Sequence, residues 1–201
     1  MTVMKKRIIL LMLIVLASLA SCSKILDPFP NGDRSDDALW EYQDMVQGLI
    51  GMCYDNIPRN YNNDEGVYLD GATDDAVITN SAYRMRRLAN GTLTTSQDPF
   101  LTFWNRNYQS IYRINKYLEN RKGFNVRLLV DLHQDSILRH RLLGEAFALR
   151  AWFQWDLLQK FGGKATNGEY LGFPIILKPI VENVNLARNT YSECLKQIMD
   201  D

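Results

Sequence analysis

The chain has 201 residues, of which 46% are hydrophobic, with 23 basic and 23 acidic side chains and a formal net charge of +0 at pH 7. This length is enough for one domain with a sizeable core. The balanced charge gives no electrostatic reason to expect nucleic acid, or an anionic membrane surface, as a partner.

The first 21 residues have the organisation of a secretory signal. Lys5, Lys6 and Arg7 form a positive segment, and residues 8–20 form an apolar run that is too short for a spanning helix. Removal of residues 1–21 takes away three basic residues and no acidic one, which leaves a net charge of −3. The sequence therefore predicts a signal peptide over this segment.

The end of the signal segment carries a more specific motif. Leu19-Ala20-Ser21-Cys22 matches a bacterial lipobox, in which the cysteine thiol takes a diacylglyceryl group and becomes the new N-terminus after cleavage. An ordinary signal peptide that happens to precede a cysteine is the alternative. Each buried methylene of the lipid contributes about 0.8 kcal/mol, so several acyl chains anchor stably. Cys22 is thus the predicted lipidation site, and residues 22–34 are the predicted lipidated tether.

Helical periodicity dominates the rest of the chain. Apolar residues recur at steps of three and four, which is typical of amphipathic helices, and the segments between them are rich in turn-forming residues. Long irregular segments inside a compact domain are usually functional or disordered. We predict an all-α domain over residues 35–201, with helices at 35–54, 81–88, 100–120 and 135–161 and a last one behind a capping box, Thr190 to Glu193.

The most apolar stretch is 144–163, which reads GEAFALRAWFQWDLLQKFGG. A helix that is apolar almost all round is buried on several sides, so Trp152 and Trp155 are expected in the core. Gly144 is expected to admit a neighbouring backbone. Gly162 and the glycine after it are expected to end the helix with positive φ angles.

Cys53 and Cys194 remain after lipidation of the first cysteine. One possible pair in a domain of this size is not a disulfide framework. Two buried thiols are therefore favoured over a disulfide bond.

Residues that support catalysis or metal binding are few. Adjacent acids such as Asp74 and Asp75 are neighbours in sequence, whereas a glycosidase needs two carboxyl groups that face each other across the substrate. His133 and His140 have no third ligand at a suitable spacing, and no nucleophile elbow or phosphate loop is present in the sequence. We expect no enzyme activity, no metal and no cofactor.

Residues 144–163 resemble the GEARFLRAxxYFxLVxxFGG signature of the SusD/RagB family of outer-membrane nutrient-binding lipoproteins. Several other segments agree with the family in the same order. They are the residues that follow Cys22, the triplet Thr73-Asp74-Asp75, the W-x(3)-Y-x-x-I-x-x-x-N pattern of Trp104, Tyr108, Ile111 and Asn115, and the crossing Gly172-Phe173-Pro174-Ile175. The resemblance spans the whole mature chain.

The resemblance implies tetratricopeptide-like helix pairs with long irregular loops. It also implies a lipid-anchored protein on the surface of a Gram-negative outer membrane, which caps a SusC-like TonB-dependent transporter and binds an oligosaccharide, or in some branches a peptide, for import. Family members are usually much longer, so residues 35–201 are expected to be the N-terminal helical domain of a truncated chain. A lipid-anchored helical-repeat scaffold that binds proteins is the alternative function.

Glycan binding needs flat aromatic faces together with groups that hydrogen-bond to hydroxyls. By resemblance, ligand groups come from the loop-rich region between residues 70 and 100. Helix capping by the acids and core packing by the aromatics is the alternative role for the same side chains. The predicted ligand residues are Asp70, Asp74, Asp75, Tyr83, Arg84 and Phe100.

Overall fold

The computed structural model describes residues 36–57, 69–180 and 185–201. The predicted signal peptide, the lipidation site and the tether therefore lie outside the described residues. By its contacts the chain divides into two units, Met1–Leu39 and Trp40–Asp201. The second unit contains the hydrophobic core.

The described residues are mostly helical, which confirms the predicted fold class. Short strands β1 (Gly163–Lys164) and β2 (Tyr170–Leu171) pair antiparallel, with Gly163 opposite Leu171. Single 3-10 turns occupy Leu69–Ala72, Thr95–Gln97 and Glu119–Arg121. The α-helices are α1 (Asp36–Glu41), α2 (Gln43–Asp55), α3 (Arg84–Ala89), α4 (Leu101–Leu118), α5 (Lys122–Asn125), α6 (Leu132–Phe161) and α7 (Tyr191–Asp200).

Helix boundaries follow the capping residues. The first predicted helix is divided at Tyr42, which has extended backbone angles. Helix α6 begins earlier than predicted, because the Asp131 side chain accepts a hydrogen bond from the Gln134 N–H at 2.8 Å. The capping box of α7 is confirmed: the Thr190 N–H donates to the Glu193 carboxylate at 2.9 Å, and the Glu193 N–H donates to the Thr190 hydroxyl at 3.2 Å.

Helix α6 lies at the centre of the domain and packs against α2, α4 and α7. The core that these helices share includes the completely buried side chains of Ile114, Tyr117 and Phe153. Cys53 and Cys194 are buried in the same core as free thiols, as predicted. Burial raises the pKa of the Cys53 thiol to about 11, so both its position and its protonation make it unreactive.

One face of α6 departs from the prediction. Trp152 is 49% exposed and Trp155 is 38% exposed, so neither is a core residue. Among the described residues, no atom outside the local backbone of α6 lies within 4 Å of where a side chain on Gly144 would begin, so none of them makes the expected close backbone approach there. The apolar pattern was continuous around the helix, and neighbouring helices cover only part of that circumference.

The end of α6 also differs from the prediction. Gly162 has φ −75° and ψ 146°, which is extended rather than left-handed backbone. Its need for glycine is steric, because an added Cβ would lie 2.4 Å from the carbonyl oxygen of Leu158. The chain thus leaves the helix directly into β1, without a left-handed cap.

A buried carboxylate fixes the entry into α6. Asp135 accepts hydrogen bonds from the N–H groups of Leu128 at 2.6 Å and Leu129 at 2.9 Å, and from the Arg139 guanidinium at 2.8 Å. Burial by itself would raise the pKa of this carboxyl, but the backbone donors and Arg139 outweigh it, and the pKa lies below its ordinary value. Asp135 therefore stays ionised and holds the preceding loop against the helix.

A second buried network joins α4, α6 and the end of α7. Arg150 donates to the two carboxylate oxygens of Asp201 at 2.7 and 2.5 Å and to the side-chain oxygen of Asn115 at 2.9 Å. The Asn115 amide donates in turn to the carbonyl of Ile176 at 2.8 Å. The Arg150 guanidinium thus links α6 to the end of α7 and, through Asn115 on α4, to residues 172–180, called here the segment after β2.

Candidate functional site

The region from 69 to 100, which supplies the predicted ligand residues, has a small core of its own. Met85 and Phe103 are buried there, although the segment has the weakest periodicity in the sequence. Ala72, Ile78, Leu88 and Phe100 pack around this pair. The region is therefore held by packing of α3 against the turn Leu69–Ala72.

The three predicted acids lie on an exposed turn. Asp70, Asp74 and Asp75 are all exposed. The Thr73 hydroxyl donates to the carbonyl of Asp70 at 2.8 Å and accepts from the N–H of Asp75 at 3.2 Å. This local hydrogen bonding shapes the turn and leaves its carboxylates at the surface.

Tyr83 and Arg84 begin α3 and are both exposed. The neighbouring Arg86 donates to the carbonyl of Thr79 at 2.6 Å, so it closes the loop that precedes the helix. Arg84 is exposed on the helix that packs against Leu69–Ala72, the 3-10 turn that contains Asp70.

Phe100 has a different environment from the other five predicted residues. Its ring lies 6.2 Å from that of Phe103 and 6.4 Å from that of Phe161, measured between centroids. The side chain is half-buried. These contacts give Phe100 a packing role, and only its exposed edge remains for a ligand.

A groove of about 700 Å³ lies between α4 and the segment after β2. This volume is within the range of small-molecule sites, about 300 to 1,000 Å³. The α4 wall includes Trp104, Tyr108 and Tyr112, which are spaced four residues apart. The opposite wall includes Pro174 and Lys178. None of these five residues was predicted from the sequence to be a ligand residue.

Contacts across the groove hold its walls together. The Tyr108 hydroxyl donates to the carbonyl of Pro174 at 2.8 Å. The rings of Trp104 and Tyr108 are 5.0 Å apart, and the edge of Phe161 meets Trp104 at 4.9 Å. Burial raises the pKa of Tyr108 well above its ordinary value, so its hydroxyl remains a donor at physiological pH. The rings of Trp104 and Tyr108 on the α4 wall are therefore held in place by contacts within the protein.

The described ranges contain neither a cluster of metal ligands nor a helix that could cross a membrane. Residues 36–57, 69–180 and 185–201 contain no group of three or more side chains placed to hold a metal ion. His140 instead packs edge-on against the Phe124 ring, 5.1 Å away. None of the helices in these ranges has both the length and the hydropathy required to cross a bilayer.

Comparison with known proteins identifies the family. The SusD-like family model described as "Starch-binding associating with outer membrane" matches residues 26–201. The chain belongs to the SusD-like family. A curated relative, "SusD-like protein P38" of Formosa agariphila, is 25% identical over 154 residues, which are 76% of this chain and 28% of the relative. No solved structure matches the chain significantly.

The SusD-like match covers every described helix of the domain. It includes the α4 pattern, in which Tyr108 and Asn115 donate to carbonyls of the segment after β2. It also includes the acidic turn and the groove. The chain spans about a quarter of the relative's length, since the aligned part is 28% of that protein.

Proposed function

We propose that this SusD-like chain is part of a cell-surface lipoprotein that binds a glycan and hands it to a SusC-like TonB-dependent transporter. The observation that carries the proposal is the family match over residues 26–201, whose description joins starch binding to outer-membrane association. The helices provide a scaffold of tetratricopeptide-like pairs. The protein acts by binding and release rather than by catalysis.

Attachment to the outer membrane of a Gram-negative bacterium is assigned to Cys22. The support is the lipobox Leu19-Ala20-Ser21-Cys22 directly after an apolar signal segment. A short tether, residues 22–34, then keeps the domain close to the membrane. In this proposal the binding loops face the cell exterior and lie beside the transporter.

Ligand contact is assigned first to the surface formed by the acidic turn and the start of α3. Its support is that Asp70, Asp74, Asp75, Tyr83 and Arg84 are all exposed, and that α3 packs against Leu69–Ala72, the 3-10 turn that contains Asp70. Carboxylates accept hydrogen bonds from sugar hydroxyls, arginine donates to them, and a tyrosine ring supports the apolar face of a sugar. Phe100 contributes an edge behind this surface.

The test is affinity electrophoresis of the mature lipoprotein in gels that contain amylopectin or other soluble polysaccharides. We expect retardation by at least one glycan, and we expect Asp70→Asn with Asp74→Asn to weaken it about tenfold or more, since hydrogen bonds to charged groups contribute about 1.5–3 kcal/mol. Asp200→Asn, which changes an exposed acid on α7, is the matched control and should leave retardation unchanged.

Three outcomes would contradict different parts of the proposal. A wild-type protein that binds none of the glycans but retains a protein partner would favour the alternative function, a scaffold that binds proteins. Equal retardation of the wild type and the double variant would show that Asp70 and Asp74 do not contribute to glycan binding. Release of shortened glycan by the wild type would show catalysis.

A further inference from the structure

The groove beside α4 has a distinctive chemical lining. It contains no acidic side chain among the described residues, although the whole sequence has as many acidic as basic residues. Two cations, Arg113 and Lys178, lie on its opposite walls. Its amides are Asn105, Gln109 and Asn185, and its aromatics are Trp104, Tyr108 and Tyr112.

The two cations are not neutralised by carboxylates of the described chain. In contrast to Arg139, Arg141, Arg150, Lys160 and Lys196, neither Arg113 nor Lys178 forms an ion pair within residues 36–57, 69–180 and 185–201. A groove whose described lining carries two such charges and no acid attracts anions. Guanidinium and ammonium groups both form charge-assisted hydrogen bonds with carboxylate or sulfate oxygens.

The aromatic strip, formed by Trp104, Tyr108 and Tyr112, indicates that the anionic ligand is a sugar. Successive members of the strip are four residues apart on α4, so each step advances about 6 Å along the helix. Rings at that spacing offer apolar surface to consecutive sugar units, and the amides offer both donors and acceptors to hydroxyls. An acidic peptide would need the cations but would make little use of this strip.

We propose that the groove is a binding subsite for an anionic saccharide unit, a uronic acid or a sulfated sugar, held between Arg113 and Lys178 over Tyr112. The assignment rests on the proposed glycan-binding function and adds a ligand class to it. The Tyr108 and Asn115 hydrogen bonds to the segment after β2 fix the separation of the two walls. The acidic turn and the groove are thus two subsites of different charge.

The experiment compares charged and neutral forms of the same sugars by calorimetry on the mature full chain. The probes are an oligogalacturonide and its methyl ester, and dextran sulfate and dextran. We expect the wild type to prefer at least one charged form about tenfold or more, since charge-assisted hydrogen bonds are the stronger class. Affinity for that form should fall as salt rises.

The variant Arg113→Gln with Lys178→Gln should remove the preference for the charged sugar, and Lys196→Gln, which changes an exposed cation on α7, should keep it. Equal preference in the double variant would overturn the assignment. So would equal affinity of the wild type for charged and neutral forms, a result that needs no variant and is independent of folding. Binding of polyglutamate as tight as that of the charged sugar would also overturn it.

The outcomes separate this inference from the function on which it rests. Retention of a neutral glycan without any preference for the charged forms would overturn the groove assignment and leave glycan binding intact. Failure to bind any saccharide of either charge would contradict the proposed function itself. Circular dichroism of the double variant distinguishes a lost subsite from a lost fold.

Discussion

Replacing Arg150 with alanine is expected to lower the free energy of unfolding by about 3–5 kcal/mol, the usual cost of removing one partner from a buried ion pair. The side chains of Arg150 and Asp201 are 8% and 3% exposed, and their closest atoms are 2.5 Å apart. Without the guanidinium, Asp201 keeps a buried charge with no counter-ion. Chemical denaturation followed by circular dichroism measures the loss.

The loss extends beyond the ion pair. Arg150 also donates to the side-chain oxygen of Asn115, a residue that is itself fully buried. An unsatisfied buried acceptor costs about 1–3 kcal/mol. The substitution therefore weakens the connection between α4, α6 and α7 at one point.

A matched control is the exposed pair on α7. Lys196 and Asp200 lie 2.5 Å apart, but their side chains are 75% and 55% exposed. Lys196→Ala should therefore cost less than about 1 kcal/mol. The double variant Arg150→Met with Asp201→Leu should recover most of the stability, because it removes both charges together. Equal losses for Arg150→Ala and Lys196→Ala would contradict the assigned role.

Replacing Cys22 with serine is expected to move the protein almost completely from the membrane to the soluble fraction. A serine hydroxyl does not accept the diacylglyceryl group, and several acyl chains at about 0.8 kcal/mol per methylene account for stable anchoring. Incorporation of labelled palmitate, followed by membrane fractionation, measures both steps. Ser23→Ala is the control and should stay labelled and membrane-bound. Equal membrane retention of the Cys22→Ser protein would contradict lipidation as the anchor, and absence of label from the wild type would favour an ordinary signal peptide.

Much of the fold was predictable because its signals are local. Periodicity predicted α4 and α6, and the Thr190 and Glu193 pair predicted the start of α7. The exposure of Trp152 was not predictable in this way, since it depends on which sides of α6 the other helices cover. The extended backbone at Gly162 was not predictable either, because glycine at a helix end is compatible with both left-handed and extended backbone.

The two candidate sites differ in the same way: one could be predicted from a local motif, and the other depends on tertiary packing. The acidic turn was selected from a contiguous sequence motif, and the structure places its acids at the surface. The groove depends on side chains more than sixty residues apart in the chain, such as Tyr112 and Lys178. Their meeting follows from the crossing of the segment after β2 over α4. The four-residue spacing of the α4 aromatics was the one signal for it in the sequence.

The proposal that this protein delivers a glycan to a transporter is tested most directly by co-purification. The full-length lipoprotein is tagged and recovered from native outer membranes in which the neighbouring transporter gene is expressed. We predict that a TonB-dependent receptor of the SusC type is recovered with it in near-stoichiometric amount. Recovery of the lipoprotein from those membranes without a TonB-dependent receptor would contradict the proposal.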